Sequence, residues 1–251
     1  MKNVELITDE EIIDARLRLM KKEKAYTHMR DELSEERRKL PWKKITENYV
    51  FDTPNGKQSL SELFDGRSQL IIYHFMWRWD LQQGCVGCSF LADHVDGANT
   101  HLQNHDISFV AVSRGPIAEL ENYKKRLGWK FKMVSSYGSS FNYDFHVSFT
   151  PEQIASGKAY YNYSWQEIDS EELPGLSVFY KNENGEIFHT YSCYARGNED
   201  LLTTYMFLDY TPKGRDEEKD MDWVKRNDEY PNQSNEQLTR TNVVDKDCCK
   251  H

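Results

Sequence analysis

Gly84-Cys85-Val86-Gly87-Cys88 is the stretch of this chain whose residue types and spacing could do chemistry. At the mouth of a helix, a first cysteine meets unpaired amide groups and the positive end of the helix dipole. Both favour the thiolate and lower its pKa. A second cysteine one turn inside is within reach of a mixed disulfide formed at the first. That assigns Cys85 as nucleophile and Cys88 as resolving thiol in a two-step exchange. The same pair could instead be half of a zinc site, or two inert helix cysteines. Zinc needs two further ligands. Cys248-Cys249, followed by His251, lacks CxxC spacing, and His94, His101 and His105 share a helical face without an evident third ligand. No metal and no cofactor is expected.

The cysteines need elements to hold them. Leu70 to Trp77 is a near-continuous apolar run, as in a strand buried on both faces, with Leu70–Met76 as its core. Cys85 to His105 reads as a helix, Ile107 to Val112 as a second buried strand, and Pro116 to Leu127 as a helix stopped by Gly128. This β-α-β-α order predicts two parallel strands. Leu176–Tyr180 and Ile187–Tyr191, separated by Asn182-Glu183-Asn184-Gly185, read as an antiparallel hairpin, and Asn198 caps a helix to Leu208. Ahead of these, Tyr49-Val50-Phe51 reads as a strand, Thr53-Pro54-Asn55-Gly56 as a turn and Ser59 to Phe64 as a short helix. Residues 8 to 40 read as one long helix with a capping box at Thr8 and Glu11, a solvated arm that could lie across a domain or pair two copies as a homodimer. Residues 129–172 carry many aromatics without a clean period and read as an irregular insertion, the alternative being an aromatic-lined ligand pocket.

At the carboxyl edge of such a sheet, His74, Trp77, Trp79, Pro174 and Arg196 are expected near the cysteines. A neutral His74 could take the proton of Cys88, or be a satisfied core histidine. Arg196 is a thiolate or anion partner, or half of a surface ion pair.

Composition narrows the classes. The chain has 251 residues, a net charge of −9, 38% hydrophobic and 13% aromatic residues, ample for a packed core. An acidic balance without a basic stripe argues against nucleic acid as partner. No apolar run approaches the roughly 20 residues of a membrane span. Met1 to Glu11 is acidic and unlike a signal peptide, and five cysteines are an odd count. Reducing, cytoplasmic surroundings are expected.

Two resemblances add to this reading. The stretch Tyr49 to Phe64, followed by Leu70 to Phe75 and the cysteines, resembles the opening of the peroxiredoxin and thiol-oxidoreductase branch of the thioredoxin superfamily. From about residue 8 to 218 the chain is similar to a largely uncharacterised thioredoxin-like family of predicted dithiol-disulfide oxidoreductases. The segments that carry this are Glu35 to Trp42, Tyr73 to Met76, Gly84 to Phe90, Phe109 to Arg114, Phe141 to Phe145, Tyr194 to Gly197 and Thr211 to Glu217.

The resemblance implies an α/β thioredoxin-like fold: a mixed central sheet flanked by helices, plus the long N-terminal helix. It divides the chain into an arm at 1–42, a thioredoxin-like domain at 43–218 that contains the insertion, and a polar tail at 219–251. Thioredoxin-type sites place a cis-proline ahead of the strand facing the CxxC, and Pro174 has that place. Peroxiredoxins carry Thr or Ser three residues before the reactive cysteine; Gln82 stands there and disfavours peroxide reduction. Thioredoxin has Trp before its first cysteine and Gly-Pro between the two, where this chain has Gly84 and Val86-Gly87. Cys193 is not expected to take part. The function implied is exchange with a protein or small-molecule disulfide. The alternatives are a non-redox protein binding a small aromatic or apolar ligand and, more weakly, a metal enzyme using Cys85, Cys88 and a helix histidine.

Overall fold

The chain divides into two compact units between Pro41 and Trp42, and the computed structural model describes residues 8–231. Cys248, Cys249 and His251 lie outside the described residues. The first unit is a helix, α1 (Asp9–Arg38), opened by the expected capping box between Thr8 and Glu11. Acidic residues in its first turn and arginines in its last suit the helix dipole. None of its residues is buried, and its apolar side chains do not collect on one face.

The second unit begins with β1 (Lys43–Lys44), β2 (Val50–Thr53), β3 (Gly56–Ser59), a single-turn helix α2 (Leu60–Leu63) and β4 (Gln69–His74). A short hairpin follows, β5 (Trp77–Arg78) with β6 (Gln83–Gly84), then α3 (Val86–Ala92), α4 (Val95–Asn104), β7 (Ile107–Ser113), α5 (Ile117–Leu127) and β8 (Lys132–Ser135). Beyond these come α6 (Phe141–Asp144), α7 (Pro151–Ser156), the hairpin β9 (Lys158–Tyr161) with β10 (Ser164–Glu167), β11 (Gly175–Lys181) and β12 (Ile187–Tyr194). A 3₁₀ turn (Ala195–Leu201) and α8 (Thr203–Asp209) complete the regular elements.

Eight strands form one sheet in the order β1-β12-β11-β4-β7-β8-β2-β3. The central three, β4, β7 and β8, are parallel, with Leu70 opposite Ser108 and Val112 opposite Val134. The hairpin β11–β12 joins antiparallel at the β4 edge, placing Gly175 opposite His74. The parallel pair and the hairpin are where the sequence puts them, and the architecture is thioredoxin-like. Period-two alternation splits β4 between two apolar layers. Tyr73 and Phe75 join one cluster with Cys85, Cys88, Leu120 and Trp129, while Leu70 and Ile72 join the other with Phe51, Phe141 and Phe179.

Three expectations need correction. The single helix expected over 85–105 is broken at Asp93 and His94, whose side chains are committed elsewhere. Asp93 Oδ1 accepts from Trp129 Nε1 at 2.7 Å and from Asn227 Nδ2 at 2.8 Å, and His94 Nε2 meets Thr204 Oγ1 at 2.7 Å. Residues 129–172 are not uniformly irregular, because β8 is an interior strand of the main sheet. Residues 219–231 are no tail. Val224 and Arg226 are buried, and Met221 and Trp223 pack on the core beside α3. Among the described residues no helix is long and apolar enough to cross a membrane.

Candidate active site around Cys85 and Cys88

After β4 the chain passes through Phe75 and Met76 into the β5–β6 hairpin, which doubles back so that the Cys85 amide donates to the Met76 carbonyl at 3.1 Å. Cys85 is the N-cap residue of α3, in extended conformation, and Cys88 lies one turn inside. The Ser89 amide donates to the Cys85 carbonyl at 2.9 Å and Ser89 Oγ donates to it at 2.8 Å. Gly84 has no room for a side chain: a Cβ there would fall 2.7 Å from Tyr123 Cε1 and closer still to Phe75. The residue before Cys85 is therefore small for a steric reason.

The backbone of this loop is held from two further elements. Tyr123 of α5 places its hydroxyl 2.8 Å from Ser89 Oγ. Arg226, only 5% exposed, donates from Nη2 to the Gly84 carbonyl and from Nε to the Tyr123 hydroxyl, each at 2.8 Å. Its charge is met by Glu229 at 3.1 Å. Burying a charge is costly unless it is paired and hydrogen-bonded in this way. Burial raises the pKa of Tyr123, so its hydroxyl keeps its proton.

Cys85 and Cys88, each 2% exposed, line a cavity of about 120 Å³. Tyr73, Met76, Leu91, Tyr161 and Pro174 line it together with Arg196, Asp220 and Met221. Of the residues grouped from the sequence, Pro174 and Arg196 share this cavity with both cysteines. No peptide bond among the described residues is cis, so Pro174 is trans; its carbonyl accepts from the Tyr161 hydroxyl at 2.7 Å. Arg196 is engaged by Glu199 at 2.8 Å and Asp220 at 3.7 Å.

His74, Trp77 and Trp79 are placed differently. Trp77 shares the apolar cluster of the cysteines, but its ring stands edge-on to Tyr123 and outside the cavity lining. Trp79 is 37% exposed and lies against Tyr137. His74 is a correction. It follows Tyr73 by one residue, so its side chain takes the opposite face of the sheet, stacked on Phe141 and Phe145. There Nε2 lies 2.8 Å from Ser177 Oγ, Ser177 lies 2.8 Å from Ser192 Oγ, and His189 Nε2 closes the row at 2.7 Å. Burial, with a smaller push from His189, lowers the His74 pKa to about 3, so its imidazole is neutral.

The aromatics of the insertion are placed in different surroundings. Tyr161 faces the cavity, Phe141 is core, and Tyr137, Tyr163 and Trp165 are exposed. Asn198 does not cap a helix; its Oδ1 accepts from the Cys193 thiol at 2.8 Å. Among the described residues no group of three or more His, Cys, Asp or Glu is placed to hold a metal ion.

Sequence reasoning missed Glu172, which lies next to the cavity-lining Leu173 and Pro174. Its Oε2 accepts from the Trp77 amide at 2.9 Å, and Arg114 approaches Oε1 at 3.6 Å. Burial pushes its pKa up to about 7 against these partners. A glutamate in the run Asp169-Ser170-Glu171-Glu172 reads as solvated in sequence. Arg226, in an equally charged stretch, was missed for the same reason.

The sequence model of the family described as "Bacterial protein of unknown function (DUF899)" matches residues 1–230. The chain belongs to the DUF899 family. No curated protein matches it in sequence. Among solved structures, a cysteine-to-serine mutant of peroxiredoxin Q from Xanthomonas campestris is similar at 11% identity and a TM-score of 0.46, covering 67% of this chain and 98% of its own. Peroxidoxin BcpB from Mycobacterium tuberculosis is similar at 11% identity and a TM-score of 0.43, over 66% and 95%. The mitochondrial 2-Cys peroxiredoxin of Plasmodium falciparum gives 14% identity and a TM-score of 0.38, over 64% and 88%.

Proposed function

We propose that this DUF899 chain is a thiol–disulfide oxidoreductase acting on a protein or small-molecule disulfide, with Cys85 as nucleophile and Cys88 as resolving thiol. One observation carries the reading: both cysteines of the CxxC line the same cavity, one at the N-cap of α3 and the other one turn inside, with Pro174 also in its lining. In the reductive direction the Cys85 thiolate attacks a substrate disulfide. One substrate sulfur leaves and takes a proton, and the other stays bonded to Cys85. The Cys88 thiolate then attacks the Cys85 sulfur, the second substrate thiol leaves, and a Cys85–Cys88 disulfide remains. The N-cap position of Cys85 favours the thiolate needed in the first step. The apolar wall suits a substrate with an uncharged group beside its disulfide.

The test is disulfide reduction driven by a dithiol, followed in single-cysteine variants. Cys85→Ser should reduce the rate to that of the dithiol alone. Cys88→Ser should accumulate a substrate-linked form at Cys85, seen by mass under non-reducing conditions. Reductase activity retained by Cys85→Ser would overturn the reading. So would a wild type inert toward every disulfide offered while binding an aromatic ligand tightly.

A further inference from the structure

We infer that the disulfide reduced at this site is a small one with a cationic end, the disulfide of a short aminothiol, and that Asp220 selects that charge. The inference rests on the oxidoreductase reading and deepens it by naming the substrate class.

Size is the first observation. Both cysteines are only 2% exposed, so a disulfide meets them through the cavity they line. Its volume of about 120 Å³ is somewhat below the roughly 150 Å³ in which an engineered apolar cavity holds benzene. A two-carbon aminothiol fits such a space, and a disulfide held within a folded protein does not.

Charge is the second. Arg196, Glu199 and Asp220 belong to the lining. The side chains of Arg196 and Asp220 are 64% and 58% exposed, which marks the part of the cavity that meets solvent. The arginines there are already engaged by carboxylates. Arg196 is held by Glu199 at 2.8 Å and approached by Asp220 at 3.7 Å. Arg215 lies over the ring of Tyr205, itself a lining residue, and pairs with Glu199 and, at 2.9 Å, with Asp209. Glu217 accepts from the Tyr205 hydroxyl at 2.6 Å. Two arginines thus meet four carboxylates, a net charge of −2. The segment that brings Asp220 and Met221 to the cavity, Asp216 to Asp222, holds five carboxylates and one lysine. Such a surround favours an ammonium and repels a carboxylate. Asp220, more than half exposed and loosely held, can turn toward a ligand. The methylenes beside the substrate sulfur suit the apolar lining, Met76 and Leu91 among it, while the ammonium stays in the solvated, acidic part.

The step is the exchange already described. Cys85 and Cys88 give two electrons and two protons to the substrate, the sulfur–sulfur bond of the substrate breaks, and two aminothiol molecules leave. A Cys85–Cys88 bond forms, and a dithiol of the surroundings returns it to thiols.

The experiment compares kcat/KM of the full-length chain for cystamine, bis(2-hydroxyethyl) disulfide, 3,3′-dithiodipropionate and insulin, with dithiothreitol as reductant. Each value is divided by the rate constant of the same disulfide with dithiothreitol alone, which removes differences in intrinsic reactivity. At low ionic strength the normalised values should fall from ammonium to hydroxyl to carboxylate, by about three- to tenfold at each step. In about 1 M salt, where the Debye length is roughly 3 Å, the order should collapse. Asp220→Asn should narrow the ratio of ammonium to hydroxyl, and Asp220→Lys should bring the ammonium and carboxylate values together or reverse them. Insulin should be reduced no faster than by dithiothreitol alone. Equal values for the three small disulfides overturn the inference, as does a preference unmoved by salt and by Asp220→Lys, or a higher normalised value for insulin than for cystamine. The oxidoreductase reading survives each of these, since reduction still depends on Cys85. A wild type that accelerates the reduction of none of the four, or a Cys85→Ser variant as fast as the wild type, ends that reading and the inference with it.

Discussion

Glu172 and Gly84 show how single residues constrain the reactive loop. Glu172 is buried, with a pKa raised to about 7 from its ordinary 4.5, chiefly by desolvation. The folded chain therefore holds a proton that the unfolded chain releases. The associated stability is complete below about pH 4.5 and is lost as pH rises through about 7, by about 1.4 kcal/mol for each tenfold difference in proton affinity between the folded and unfolded chains. Glu172→Gln should flatten this loss, so its urea midpoints at pH 5 and pH 8 should differ less than those of the wild type; parallel curves would contradict the assignment. At Gly84 an added methyl group meets Phe75 and Tyr123. Gly84→Ala should cost about 1–3 kcal/mol by overpacking and displace Cys85, which a thermal melt and the rate of thiol alkylation would both register. Cys85, Cys88 and Pro174 were legible as site candidates because CxxC spacing and strand order are local signals. Glu172 was not, since nothing in a charged run reveals which carboxylate the fold will bury.

At the scale of elements, the sheet's alternation decides what reaches the cavity. Tyr73 and His74 are neighbours in β4, yet one lines the cavity and the other joins the Ser177–Ser192–His189 row on the far face. Parity along the strand held this information, while proximity in sequence suggested otherwise. The strands β4 and β7 were legible from their long apolar runs. The strand β8 was not, because four residues beginning with a lysine carry little period. The break between α3 and α4 depends on Trp129, Asn227 and Thr204, partners that sequence spacing cannot bring together. Arg226 ties residues 219–231 to β6 and α5. Arg226→Met should leave the Gly84 carbonyl and the Tyr123 hydroxyl short of a donor, at a cost of roughly 2–3 kcal/mol. Hydrogen exchange at the amides of residues 85–89 should quicken more than at β7; uniform quickening would mean that Arg226 stabilises the domain without holding this loop.

For the whole molecule, residues 219–231 are part of the domain. Truncation after Glu218 removes Met221, Trp223, Val224 and Arg226 from the core around α3 and should abolish cooperative unfolding; a sharp melt in the shorter chain would refute that role. The helix α1 sits at the other extreme, 30 residues long with none buried. A helix without a packed face melts gradually, residue by residue, since little beyond its own hydrogen bonds holds it. All six tryptophans of the chain, from Trp42 to Trp223, lie beyond α1. Indole fluorescence will therefore follow the sheet domain alone, while far-ultraviolet circular dichroism adds the fraying of α1. On heating, the two signals should not superimpose: ellipticity should drift well before the fluorescence transition, and a single two-state fit to both would misstate the enthalpy of the domain.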